Sequence, residues 1–457
     1  MSIHASSLAS TVVNMPIMRR RVFTLAWPVI GENFLQTMLG IVDTVMVARL
    51  GAEALAGVGA ALQVMFFVIA VLSAVSVGTA VLVAQAVGGR NYARAGSLAR
   101  QSLVWSVAIS IPLALVGLFA AEPLMRVFGM EPAVNQIGAD YLRVVMGTVV
   151  VLTLMLLSSS VLRGAGDSRT PMLVTLLANV VNVVLTYGLV FGELGMPELG
   201  AVGSAWGTFY SRVVGFLLLF LVMWRGRNGV TIRGRLGWWP DFSAARQMLR
   251  IGVPAALEQL LGSLSFLGLT IIVGVLGTEA LAAHRIAINA MSLSFLPGIG
   301  FALAATTLVG QSIGAHAPHE GAVAGNIATR WGLVWMSVLG VLFFLQAEAL
   351  IRFFTPEEDV IRIGAIALRT VAIAQPFWAI SFIQAGALRG TGDTRYPLYV
   401  NTIGSWTAVL LAWLFSRLFP GDLGIIWIAF LLTAPVTAFL HWRRFRGVVA
   451  RLSAKQA

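Results

Sequence analysis

One carboxylate interrupts an apolar run: residues 39–47 read LGIVDTVMV, with Asp43 at the centre. Glu32, Gln36 and Asp43 are spaced i, i+4, i+11, which at 100° per residue sets them within ~40° of one another on one helical face. A second stretch repeats the pattern with Thr175, Asn179, Asn182 and Thr186. The chemistry open to such a set is narrow. Carboxylate, amide and hydroxyl oxygens are hard ligands suited to Na⁺, and a desolvated carboxyl can carry a proton. The plainer role, a hydrogen bond gluing two helices, is common for Asn and Ser and rarer for Asp, because an ionised Asp at a membrane-helix centre costs about 2.5–3.5 kcal/mol. Asp43, Asn182, Thr186, Asn179 and Gln36 are therefore the expected cation or proton coupling site.

Other polar positions are weighed in the same way. Glu258, about two turns into a later apolar run, and Glu32 are expected to serve as central polar groups. Arg212, deep in another run, can pair with a carboxylate or an anionic substrate, whereas Arg285 is expected to snorkel to an interface. His316 and His319 are i, i+3 in a polar loop without a third ligand, so solvation is expected rather than metal binding. The chain has no cysteine, hence no disulfide, thiolate nucleophile or Cys-bound metal. It has no Walker-type phosphate loop, H-E-x-x-H pattern or nucleophile elbow. No enzymatic activity, ATP hydrolysis or cofactor is expected; the only small ion called for is the coupling ion, H⁺ or Na⁺.

The elements that must position these residues are membrane helices. Of 457 residues, 58% are hydrophobic and only 11% charged, against about 25% charged in soluble domains. Apolar segments fall at roughly 22–47, 55–82, 97–119, 138–162, 172–192, 201–224, 251–275, 281–308, 331–348, 364–388, 397–417 and 424–441, about twelve spans. The net charge of +12 comes mainly from arginines at the ends of these segments. It reads as a topology signal rather than a nucleic-acid surface. Arg19 to Arg21, Arg90, Arg94, Arg163, Arg169, the 225–250 segment, Arg389, Arg395 and the tail fall on one side. Glu122, Glu131, Glu193, Glu198, Glu279, Glu357 and Asp422 mark the other. Both termini are expected to face the cytoplasm, in a plasma (inner) membrane. Arg19 to Arg21 precede the first apolar run, so the first span is expected to be retained.

A shift of 226 positions aligns the chain with itself without a gap. Pro28 and Glu32 fall on Pro254 and Glu258, LGAEALA (50–56) on LGTEALA (276–282), Gln85 and Gly88 on Gln311 and Gly314, and LRGAGDSRTP (162–171) on LRGTGDTRYP (388–397). Apolar composition alone would not align Glu, Arg, Asp and Pro at one offset. Six spans per half make the halves parallel repeats about an axis along the membrane normal, with a ligand path between them. The expected fold is an all-α integral membrane protein with two pseudo-symmetric six-helix lobes. Its parts are a cytoplasmic segment at 1–21, a first lobe at 22–224, a linker at 225–250, a second lobe at 251–441 and a basic tail at 442–457. Trp238 and Trp239 should anchor the linker at the interface. The LRGxGDxR turns are expected to be structural, with Asp capping the helix that Pro171 or Pro397 opens. The repeat also supplies a control: Asp43, Asn182 and Thr186 fall on Leu269, Ala408 and Ala412, so the second half has lost the polar set.

The first-span pattern around Pro28, Glu32 and D(43)TVMVARLG, the paired LRGxGDxRxP turns and NVVLTYGLVFGELGMPELGAVGSAWGT (182–208) resemble the multidrug and toxic compound extrusion (MATE) family over residues 20 to 440. The resemblance implies a V-shaped twelve-helix antiporter that expels cationic or amphipathic organic compounds against inward H⁺ or Na⁺. It implies the acid of the first-lobe cation site at Asp43 and its fifth-helix Asn at Asn182. Thr186 stands where many members have a second Asn or Asp, and Glu258 matches an acid some branches use in the second lobe. Those branches tend to carry an Asp where this chain has Trp378, which favours the first lobe, and H⁺ over Na⁺. Met38, Met46, Phe66 and Tyr210 would suit varied apolar substrates in the cleft. The expected partners are small organic cations and the bilayer, with no nucleic acid and a monomeric unit. Two rivals remain: a flippase for lipid-linked precursors, which would want several cavity arginines, and an intramembrane enzyme, which would want a converging His, Asp or metal cluster.

Overall fold

In lipid a backbone can satisfy its polar groups only within a helix or a closed barrel, and the apolar runs of this chain take the first solution. The computed structural model describes residues 14–234, 237–419 and 423–455. Residues 1–13 of the N-terminal segment, Asp422 and the last two residues of the basic tail lie outside them. In the first lobe the helices are α1 (Met15–Ala48), α2 (Ala52–Gly88), α3 (Tyr92–Arg126), α4 (Pro132–Gly147), α5 (Val149–Gly164), α6 (Arg169–Phe191) and α7 (Gly200–Arg225). In the second they are α8 (Phe242–Gly274), α9 (Thr278–Gly314), α10 (Pro318–Leu345), α11 (Ala347–Arg352), α12 (Glu358–Gly390), α13 (Arg395–Leu418) and α14 (Leu423–Ala454).

Among the described residues the twelve expected spans give fourteen helices because two of them break. α4 and α5 form one span bent by 50°. At the bend Thr148 Oγ1 donates to the Val144 carbonyl at 2.7 Å, a back-bond of the kind that bends helices. α10 and α11 part at Gln346. Among the described residues ten helices are individually long and apolar enough to cross a membrane, or eleven with the bent pair taken as one span. α1 has the length, 34 residues, but the more polar sequence, since it carries Glu32, Gln36 and Asp43.

The internal repeat is visible as repeated geometry. LGAEALA and LGTEALA each place a glycine at the N-cap with a positive φ, Gly51 at 114° and Gly277 at 119°, where a Cβ would be strained. Glu53 and Glu279 follow in the first turn, complementing the helix dipole. Glu32 pairs with Arg163 at 3.0 Å, and 226 positions on Glu258 pairs with Arg389 at 2.6 Å. Glu122 with Arg143 at 3.7 Å and Glu348 with Arg369 at 2.9 Å are a second matched set.

Helix α8 begins at Phe242, inside the 225–250 segment, with Asp241 Oδ1 accepting from Ser243 N at 2.8 Å. The stretch before it is docked on α3. Gln101 Nε2 donates to the Gly237 and Trp239 carbonyls at 2.9 and 2.7 Å, and its Oε1 accepts from Asp241 N at 2.8 Å. Ile232 is fully buried, while Trp239 is 84% exposed. α14 continues to Ala454, so much of the basic tail is helical.

The lobes are sewn together in the half of the fold nearest the chain termini. Met18, Val22 and Ala26 of α1 share one apolar cluster with Phe301, Ala305 and Leu308 of α9. Val75, Leu82 and Val83 of α2 share another with Met248 of α8. Glycines bring the backbones together: a Cβ at Gly78 would strike the Met248 backbone, and one at Gly252 the Ala74 carbonyl. At the tips, Gly88 abuts the Gln311 backbone and Gly314 the Gln85 backbone. There Gln85 Nε2 donates to the Gly390 carbonyl and Gln311 Nε2 to the Gly164 carbonyl, both at 3.1 Å. The far end is different. At Gly40, Gly59 and Gly262 a Cβ would meet nothing within 4 Å, and Met38, Ile41, Leu62, Phe66, Phe266 and Ile271 are exposed.

Candidate cation site in the first lobe

Asp43 lies five residues before the end of α1, about 8 Å from it at 1.5 Å per residue. It is half-buried, and its Oδ1 is buried without a hydrogen-bond partner among the described residues. A buried acceptor left unpaired is costly and calls for an explanation. α6 supplies the polar wall: Asn182 and Thr186 are fully buried, Thr175 is 3% exposed and Asn179 half-buried.

The residues expected to form one coupling site with Asp43 do not bond to it: neither Asn182 nor Thr186 makes a hydrogen bond to its carboxylate. Asn182 Nδ2 instead donates to Thr208 and Ser211 of α7 at 3.2 and 3.4 Å, and Asn182 Oδ1 accepts from Thr186 at 3.3 Å. Gly207 explains why: it lets α7 approach so closely that an added Cβ would strike Thr186, which brings the α7 hydroxyls within reach of the amide first. Asn179 ties α6 to α1, donating to the Leu35 carbonyl at 2.8 Å. Gln36 is exposed and joins no hydrogen bond among the described residues. Asn182 and Asn179 thus act as interhelical ties, and Asp43 is left with a buried oxygen unbonded.

Two further side chains stand within electrostatic reach of Asp43: Arg212 on α7 and Tyr141 on α4. Arg212 is half-buried and makes no ion pair or hydrogen bond among the described residues. Tyr141 is 5% exposed, and Ser204 of α7 is also buried. Sequence reasoning missed Tyr141; the available signal was a tyrosine inside the apolar fourth span, at a helix whose neighbours could not be assigned from one sequence. His284 was also missed. It is fully buried in the second lobe, 3.4 Å from Thr270 Oγ1, with its ring 5.2 Å from that of Trp427.

Glu32 and Glu258 are both ion-paired, though Glu258 Oε2 is buried without a hydrogen-bond partner among the described residues. Arg163 bonds both oxygens of Glu32 at 3.2 and 3.0 Å, while Glu258 Oε1 accepts from Arg389 and from Asn401, each at 2.6 Å. Both arginines are the Arg of an LRGxGDxR turn. In these turns Gly166 and Gly392 take φ of 85° and 88°. Asp167 Oδ1 accepts from the backbone N–H groups of Arg169 and Thr170 at 3.1 and 3.0 Å, and its Oδ2 pairs with Arg227 at 2.8 Å. Burial works against ionisation of Asp167, but the Thr170 bonds and the Arg227 guanidinium outweigh it and hold the carboxyl below its ordinary range. Asp393 pairs with Arg444 at 2.7 Å.

The matching place in the second lobe is apolar. Leu269, Ala408 and Ala412 are fully buried in one apolar cluster, and Trp378 packs edge-on to Phe295 at 5.4 Å. Among the described residues no three His, Cys, Asp or Glu side chains converge on a metal position. Arg285 is exposed, and so are His316 and His319. Met38, Phe66 and Tyr210 are exposed and Met46 half-buried.

The MatE family model matches residues 28–188 and 254–414, two segments offset by the same 226 positions as the internal repeat. A probable multidrug resistance protein NorM from Thermotoga maritima is 36% identical over 91% of this chain and 89% of its own. A multidrug resistance protein NorM from Burkholderia vietnamiensis is 30% identical over 96% of each chain. Among solved structures, a multidrug resistance MATE family transporter of the MOP superfamily in its outward-facing conformation superimposes with a TM-score of 0.88, at 24% identity, over 96% of this chain and 97% of that one.

Proposed function

We propose, from the premise that this chain belongs to the MatE family, that it is a secondary active exporter of cationic or amphipathic organic compounds, driven by inward H⁺ exchanged at Asp43. One observation carries the reading. Asp43 keeps a buried, unpaired oxygen, whereas the matching residue of the second lobe, Leu269, is buried in apolar core. What separates Asp43 from Glu258, whose Oε2 is also unbonded, is that Glu258 has an arginine and an amide on its other oxygen and Asp43 makes no hydrogen bond or ion pair among the described residues.

The neighbouring charge suggests how coupling works. While Asp43 is ionised, Arg212 offsets it, and a cationic substrate is tolerated in the cleft. When Asp43 takes a proton, the Arg212 charge is unmasked and repels that substrate. The same arginine disfavours a second cation beside Asp43, which favours H⁺ over Na⁺. Arginine rather than lysine suits this role, because a guanidinium stays charged throughout the cycle. With the termini cytoplasmic, as the arginine distribution argues, the open far end faces outward and this is the releasing state. Return requires the seam at the terminal end to open, and each ligand shifts that equilibrium only through its difference in affinity for the two states. Proton and substrate are both cargo here; the chain needs no resident cofactor for the cycle.

Ethidium efflux from everted vesicles tests the proposal, with wild type, Asp43→Asn and Arg212→Gln compared under separate H⁺ and Na⁺ gradients. Wild type should respond to H⁺, and Asp43→Asn should lose coupled transport. Arg212→Gln should weaken H⁺ coupling and admit Na⁺. Full transport by Asp43→Asn would remove the carboxylate from the mechanism, and a wild-type response to Na⁺ alone would reverse the ion assignment.

A further inference from the structure

On the terminal side of the seam, a crevice of about 1090 Å³ opens between α3 of one lobe and α8 and α13 of the other. Its aromatic wall is Trp105 against Phe242, ring centroids 5.2 Å apart and edge to face. Its rim is cationic: Arg246 and Arg250, one helical turn apart on α8, and Arg395 in the first turn of α13. All three arginines are exposed, and none makes an ion pair or hydrogen bond among the described residues. The nearby acids are engaged elsewhere, Asp241 as the cap of α8 and Asp393 with Arg444. Beyond the arginines the same face of α8 turns apolar, with Leu249, Val253 and Leu257 each 38–43% exposed.

A topological preference for positive charge on this side would be met by arginines placed anywhere along it. It does not require three unpaired guanidinium groups around one concave, aromatic-walled site that ends in an exposed apolar strip. We infer that this crevice binds the phosphate headgroup of an anionic phospholipid, whose acyl chains lie along the Leu249–Val253–Leu257 face. Guanidinium groups bond phosphate oxygens in a bidentate fork, and Trp105 and Phe242 sit at the headgroup level that aromatic side chains favour. The site bridges the lobes. It draws Trp105 from the first lobe and every arginine from the second, beside the cross-lobe bond from Arg94 to Gln247 at 3.2 Å and the bond from Trp105 Nε1 to the Asp241 carbonyl at 3.3 Å. An occupied site therefore holds the terminal end shut, and anionic lipid biases the protein toward the state open at the far end.

Native mass spectrometry of the purified full chain tests this, with phosphatidylglycerol and phosphatidylcholine offered in equal amounts. Wild type should retain phosphatidylglycerol preferentially. Arg246→Gln/Arg250→Gln/Arg395→Gln should lose that preference by about tenfold or more, as expected when several charge-assisted contacts vanish. Arg285→Gln, which removes an exposed arginine at the far end, should behave as wild type. If the triple variant does not fold, Arg395→Gln alone should still lower retention severalfold. Equal retention by wild type and the variants, or an equal loss in Arg285→Gln, overturns the site. Displacement of phosphatidylglycerol by millimolar inorganic phosphate would make it a soluble-anion site and overturn the lipid assignment.

Discussion

Removing both glutamine latches, as Gln85→Ala/Gln311→Ala, should open the terminal end of the protein without unfolding it. Each glutamine donates one 3.1 Å bond to a carbonyl at the end of a helix in the opposite lobe. Such a bond contributes about 0.5–1.5 kcal/mol net. Both Gln side chains are half-buried, so the freed carbonyls can rehydrate once the seam parts. The pair should therefore favour the closed seam by about 1–3 kcal/mol, and its loss should raise the odds of the open state by roughly 5–150-fold. Each single variant should account for about half of the free energy, since the two bonds are independent copies. The chain's lack of cysteine makes the assay direct. Spin labels at Ala93→Cys and His319→Cys, exposed and related by the repeat, report the separation of the lobes at this end by double electron–electron resonance. The expected result is a longer-distance population that grows in the single variants and grows further in the double. An unchanged distance distribution in a double variant with wild-type melting would refute the latch.

Three other outcomes follow from the geometry. Glu32→Gln and Glu258→Gln should each destabilise the protein, by about 3–5 kcal/mol, because each leaves a largely buried arginine without its charge partner; loss of transport with unchanged thermal stability would instead mark either acid as part of the coupling path. Asp167→Asn should lower the melting temperature at neutral pH, and the gap to wild type should close as pH falls below about 4. A carboxyl held below its unfolded value stabilises the fold in full above that value and loses the effect as pH falls through its lower folded value, and melts recorded across pH check the sign. Gly252→Ala should force α8 off the Ala74 carbonyl and raise the same longer-distance population as the glutamine variants, measured with the same labels.

Much of the architecture was legible because lipid leaves the backbone few options and because the chain states its fold twice. Polar residues that recur at one offset, such as Glu32 with Glu258 and Gln85 with Gln311, were visible as signals without visible partners. The structure supplies those partners: an Arg of the following LRG turn for each Glu, and a carbonyl of the other lobe for each Gln. Helical periodicity set Asn179, Asn182 and Thr186 near one another on α6 but could not say which neighbour each would meet, α1 for Asn179 and α7 for Asn182. The answer depends on Gly207, whose missing side chain lets α7 intervene. Tyr141 escaped for the same reason, since its closeness to Asp43 depends on how α4 is placed across the lobe. Residues missing from one copy, Asp43 against Leu269 above all, were the better guide to the candidate site than residues kept in both.

The reciprocal glutamine bonds have a bearing on the symmetry of the molecule. Each half carries a donor, the amide of Gln85 or Gln311, and an acceptor, the carbonyl of Gly164 or Gly390, placed so that a two-fold rotation brings one onto the other. That is the arrangement of an isologous dimer interface, in which identical surfaces complement themselves. Each half thus carries the self-complementary surface a symmetric pair needs, and joining the halves in one chain leaves each cleft wall free to differ. The join is symmetric where the walls are not, one carrying a carboxylate and the other filling the same place with leucine.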